Sequence, residues 1–112
     1  MSQNSILSLF PQTAYGTQST VTGTPQPAAS YYNAGSNLQT VIWNLYQFTG
    51  QLNIQATLVE NPTETDWITV DIQNCVTITQ VSYTNISGNF VWMRAKITNF
   101  SHGLVNYVQL SY

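Results

Sequence analysis

The residues able to do chemistry are few and unevenly placed. All four carboxylates, Glu60, Glu64, Asp66 and Asp71, fall between positions 60 and 71. A hard cation such as Ca²⁺ needs several oxygen ligands at set loop positions. No Asp-x-Asp repeat or coordinating spacing occurs here, so the window reads as a solvated loop. Two carboxylates can flank a glycosidic bond and hydrolyse it, but any acidic loop offers such a pair and nothing in the spacing singles one out. His102 lies in "NFSHG", which reads as a turn between strands. Ser87 and Ser101 lack a nucleophile-elbow motif, so His102 is expected to face water rather than serve as a base. Cys75 is the single cysteine. It can form neither an internal disulfide nor a metal site. No cation beside it in sequence lowers its pKa, so it is expected to behave as a small buried hydrophobe. These residues predict no catalysis, no cofactor and no metal.

The chain has two cations, Arg94 and Lys96. In "FVWMRAKI" they share a face with Phe90 and Trp92, while Val91, Met93, Ala95 and Ile97 share the other. Three uses fit that face. It could be a subunit interface, where Trp, Tyr and Arg are enriched. The cations could pair within the chain with the acidic loop, for at most about 1 kcal/mol if exposed. The aromatic groups could also stack on a sugar whose hydroxyls the neutral amides bond. The first two are preferred. Near the N-terminus, Ile6, Leu7, Leu9 and Phe10 form an apolar cluster that either packs locally or docks on a neighbouring subunit. The interface candidates are therefore Ile6, Leu7, Leu9, Phe10, Phe90, Trp92, Arg94 and Lys96.

The elements that must position these residues read as strands. "LQTVIWNLYQF" is β-branched and aromatic, and is expected to end at Thr49-Gly50. "QLNIQATLVE" alternates, with Leu52, Ile54, Ala56 and Leu58 on one face. "NPTETD" is a loop, "WITVDI" a short strand, and "VTITQVSYTNI" alternates again before a turn at Ser87-Gly88-Asn89. In "LVNYVQLSY", Leu104, Val108, Leu110 and Tyr112 share a face. No stretch sustains a helical period, and helix formers are scarce. Residues 1–37 read as an extended N-terminal arm, with three prolines and three glycines in "PQTAYGTQSTVTGTPQPAASYYNAGSN" and short strands around Thr20–Thr22 and Ala28–Tyr32. Residues 38–112 read as one all-β domain: a β-sandwich of six to eight strands, jelly-roll-like or immunoglobulin-like. Its predicted core is Leu52, Ile54, Leu58, Val91, Met93, Ile97, Val108 and Leu110.

Composition excludes several classes. The 112 residues suit one domain, yet only 5% are charged, against about 25% in ordinary soluble domains. Ser, Thr, Asn and Gln take their place. Two cations cannot neutralise a phosphate backbone or form a polybasic membrane patch. No apolar run is long enough for a spanning helix. "MSQNSILSLFPQ" lacks the basic start and long apolar stretch of a secretory leader, which predicts a chain made and kept in a cytosol. The expectation is a protein with no nucleic-acid or membrane partner. Natural sheets guard their edges with Lys and Pro. From Leu38 onward there is one of each, so the edges are expected to be covered by neighbours in a homo-oligomer.

Two segments carry a family resemblance. They are "FTGQLNIQATLVENPTETDWITV", with Phe48, Gly50, Ile54, Ala56, Leu58, Pro62, Asp66 and Trp67, and "TNISGNFVWMRAKITNFSHGLVNYVQLSY", with Gly88, Asn89, Trp92, Arg94, Ala95, Phe100, Gly103, Val105 and Tyr112. They resemble small structural proteins of tailed bacteriophages, especially those infecting marine cyanobacteria. The resemblance spans about the last two thirds of the chain and none of residues 1–37. It implies a virion component with a β-sandwich fold, made in the host cytoplasm, partnered by its own copies and other virion proteins, and without catalytic residues. Head decoration, neck, tail accessory and fibre positions all stay open. The competing readings are a carbohydrate- or receptor-binding module, with a glycan as ligand, and a small hydrolase.

Overall fold

The computed structural model describes residues 6–10, 20–32 and 37–112. Three strands of twenty residues dominate it: β4 (Leu38–Thr57), β5 (Ile68–Ser87) and β6 (Trp92–Ser111). Before them come β1 (Ile6–Phe10), β2 (Val21–Thr22), β3 (Gln26–Pro27) and a single helical turn, α1 (Ala29–Tyr32). All pairings are antiparallel and join one six-stranded sheet in the order β1-β6-β4-β5, with β2 and β3 also on β6. The protein is all-β, as its alternating sequence requires.

Six expected strands are thus three. A straight strand of this length would span about 66 Å at roughly 3.3 Å per residue, but the longest dimension of the molecule is 39 Å. The strands must bend, and they do so together. Gln47, Thr77 and Asn99 adopt left-handed φ angles of 48°, 47° and 53°, and Gly103 one of 73°. Register shifts cluster at the same level, from Leu45 to Gly50 in β4 against β5 and from Tyr46 to Gln51 against β6, with a further one between Ile54 and Gln55. The segments expected to turn, Thr49-Gly50 and Asn99–Gly103, bend the sheet without breaking it. Side chains patch the interrupted ladder. The Gln47 N–H donates to Thr79 Oγ1 at 3.0 Å, and the Thr77 N–H to Thr49 Oγ1 at 2.9 Å. At Gly103 a Cβ would fall on the Gln47 carbonyl, so the close approach of β6 to β4 there needs glycine.

One core is shared by both sides of the bend. Leu52, Ile54, Met93, Ala95 and Ile97 come from one side; Val41, Trp43, Val105, Val108 and Leu110 come from the other. Phe48 and Phe100 meet at the bend itself, ring centroids 5.2 Å apart. The shortest dimension, 18 Å, has room for two sheet layers at their usual spacing of about 10 Å. Gly23, beside β6 at Ala95, lies so close to β1 that a Cβ would strike the Leu9 carbonyl.

Several expectations change. Leu58 is exposed, because β4 ends at Thr57 and the chain leaves the sheet. Val91 is only half-buried, one residue before β6 begins. Val105, not Leu104, shares the inward face with Val108 and Leu110, since the register shift between Asn44 and Leu45 changes which β6 residues face inward. Ala28–Tyr32 forms a turn rather than a strand. Past Pro27 the Ala28 N–H still donates to the Val91 carbonyl at 2.8 Å, and the side chain of Gln39 accepts the Ala29 N–H at 3.1 Å, satisfying a donor at the start of α1.

Candidate functional site

Arg94 is the centre of a polar arrangement that joins β4, β6 and the acidic loop. It leaves β6 opposite Gln55 of β4. Its Nε–H donates to Gln55 Oε1 at 2.8 Å, and its two terminal nitrogens donate to Glu64 Oε1 and Oε2 at 2.9 and 3.0 Å. This two-pronged geometry matches the guanidinium fork to the carboxylate plane. The guanidinium carbon also stands 4.4 Å from the Trp67 ring centroid, a cation–π contact. The side chain of Arg94 is 5% exposed and that of Glu64 78%. The pair is therefore anchored on the arginine side and wet on the carboxylate side. The hydrogen bonds and charge of Arg94 hold the Glu64 carboxyl below its ordinary value of 4.5.

The β4–β5 connection delivers Glu64 and Trp67. Glu64–Asp66 form one 3₁₀ turn. Asp66 Oδ2 accepts the Thr63 N–H at 2.8 Å and the Thr63 hydroxyl at 3.1 Å, which fixes the entry to the turn. Trp92 ties down the other end of the loop, donating from Nε1 to the Glu60 carbonyl at 2.8 Å. It also stands edge-on to Tyr31 at 5.0 Å. Between this loop and the β2–β3 corner lies an open groove of about 600 Å³, lined by Trp67, Trp92, Arg94, Pro25, Pro62 and Glu64 among others. Indole and proline surfaces with an adjacent ion pair can receive a flat or hydroxyl-bearing ligand.

The remaining candidates do not gather there. Leu9 and Phe10, expected at an interface, lie in the chain's own core, because β1 pairs with β6 from Ile6–Ser111 to Phe10–Val108. Leu7 and Phe90 pack partly buried against that core. Lys96 is half-buried opposite Asn53, whose side-chain amide donates to the Lys96 carbonyl at 3.1 Å. His102 is exposed but sits within β6 opposite Thr49, not in a turn between strands. Cys75 is buried as expected, and burial pushes its thiol up. Asp71 accepts from Gln73 at 3.0 Å. Among the described residues no three His, Cys, Asp or Glu side chains converge as a metal site.

Sequence reasoning anticipated pairing between the cations and the acidic loop, but not its partners. In sequence Gln55 is one polar residue of an alternating strand, with nothing to mark it as a partner of Arg94. Trp67 carried no signal beyond the family resemblance. The other missed feature is β5. Among the described residues it pairs with β4 alone, and it exposes Ile72 (49%), Val76 (77%), Val81 (57%) and Tyr83 (63%). Its alternation was visible; its place at the edge was not. No family model, curated protein or solved structure matches the chain.

Proposed function

We propose that the chain is a structural subunit of a tailed-phage virion, in the head, neck or tail, working by protein–protein assembly rather than catalysis. Its partners are copies of itself and other virion proteins, and it joins the particle after synthesis in the host cytoplasm. One observation carries the assembly role: β5 offers a twenty-residue outer edge with no partner strand among the described residues. Such an edge is a row of backbone donors and acceptors ready to template another chain. Solitary sheet proteins blunt it with Lys, Pro or a cover. β5 has no Lys or Pro, and Asp71 is its one charged residue. The sequence resemblance supplies the virion context. Mass spectrometry of purified particles from the phage encoding the chain, with antibody labelling in electron micrographs, tests this. The chain should co-purify at stoichiometric level, and its absence from intact particles would sink the proposal.

A second reading is favoured by the groove between Trp67 and Trp92, which suits a glycan and hence a receptor-binding role in the same particle. Titration with host-surface oligosaccharides should then quench tryptophan fluorescence saturably, and Trp92→Ala should abolish the effect.

A further inference from the structure

The assembly role proposed above leaves open what covers β5, and the bend in that strand narrows the answer. β5 runs from Ile68 to Ser87 and kinks at Thr77, where φ is 47°. Cys75 and Ile78 still oppose β4, at Gly50 and Phe48, while Val76 and Thr77 between them have no opposite residue. The kink therefore falls at the middle of the strand. A chain laid along this edge must bend at the same level, with arms of matching length. β5 of a second copy meets that requirement when it runs antiparallel. Rotation by half a turn about the local sheet normal places bend on bend and carries the fold line of one sheet into the other. A parallel copy or an off-centre register would set the kink against a straight run.

We propose that two copies of the chain pair through β5, antiparallel, about a two-fold axis passing between Thr77 and Ile78. This is an isologous contact, in which the same strand serves both sides. Its register sets Ile72 of one copy opposite Tyr83 of the other, and Asn74 opposite Val81, each twice. Within the chain, Tyr83 stands beside Ile42 and Ile72 beside Asn53. Both belong to the set that alternates away from the core-facing Val41, Trp43, Leu52 and Ile54. They therefore share one face, as opposed residues must. The Ile72–Tyr83 pairs join a β-branched group to an aromatic one, a favourable combination across strands. Asp71 comes opposite Thr84, so no like charges meet.

The test uses the full chain and two double variants. Light scattering during gel filtration and sedimentation equilibrium should show a dimer for the unmodified protein. Ile72→Lys with Tyr83→Lys sets lysine against lysine at both pairs and should raise the dimer dissociation constant at least about tenfold. Ile72→Lys with Tyr83→Glu sets opposite charges together and should restore the dimer. Both positions are exposed, and thermal melts of each variant confirm folding. A monomeric unmodified chain at millimolar concentration, a dimer indifferent to the double lysine change, or no rescue by the charge-complementary variant would each overturn the pairing. A dimer that never enters particles would leave the pairing standing and remove the virion role. Incorporation as a monomer would do the reverse.

Discussion

Arg94 and Gln39 show how a chain with few charges uses the polar groups it buries. Gln39 is fully buried, accepting from Ala29 and donating to the Ile86 carbonyl at 2.8 Å and the Gly88 carbonyl at 3.2 Å. It ties α1, the start of β4 and the end of β5 into one network. Gln39→Ala should cost about 1–3 kcal/mol, because it strands buried backbone groups; urea denaturation measures this. Arg94→Ala should cost about 1–3 kcal/mol, nearer the low end because Glu64 is in water. The pH dependence has a definite sign. The folded Glu64 carboxyl lies below 4.5, so the ion pair stabilises fully above that value and is lost as pH falls through the lowered one. The melting-temperature advantage of the unmodified protein over Glu64→Gln should therefore shrink on acidification from about pH 6 to pH 3. An advantage that stays constant would show that the carboxylate charge adds nothing.

Bends dominate at the level of elements. Each long strand holds a left-handed residue near its centre, and Gly103 is the one whose neighbour leaves no space for a side chain. Gly103→Ala meets both the left-handed penalty, about 1–2 kcal/mol, and a collision with the Gln47 backbone. It should destabilise well beyond that penalty alone, with the loss visible in a thermal melt. Core substitutions on the two sides of the bend should have similar effects, since both feed one cluster. Ile54→Ala or Ile97→Ala on one side and Leu110→Ala on the other should each cost about 2–5 kcal/mol in chemical denaturation. A denaturation midpoint unmoved by the changes on either side would contradict the shared core.

For the whole molecule, the N-terminal segment belongs to the fold before it belongs to any assembly. β1 pairs with the last residues of β6, and Leu9 and Phe10 enter the common core. Deleting residues 1–10 should therefore lower the melting temperature outright, and Leu9→Ala alone should cost about 2–5 kcal/mol. This reverses the expectation for a free tether, whose removal would weaken assembly and spare the domain. The proposed surface for assembly lies at the far edge of the sheet, in β5. Truncation and the β5 charge variants should separate in experiment, the first affecting stability and the second association.

Alternation in "QLNIQATLVE", "FVWMRAKI" and "LVNYVQLSY" was enough to establish an all-β chain and most of its inward faces, because side-chain direction in a strand depends only on local backbone period. Scarcity of charge was likewise legible, as was pairing of the cation Arg94 with the acidic loop. Three things depended on tertiary structure. Thr49-Gly50 and Asn99–Gly103 look like turns, and only the register between strands decided that they bend a continuous sheet. Leu9 and Phe10 could as well have packed on a neighbour; pairing between residues a hundred positions apart placed them inside. The edge position of β5 follows from the strand order β1-β6-β4-β5. An apolar alternating strand reads alike at the centre and the rim of a sheet, because what differs is the number of neighbouring strands, and those come from elsewhere in the chain.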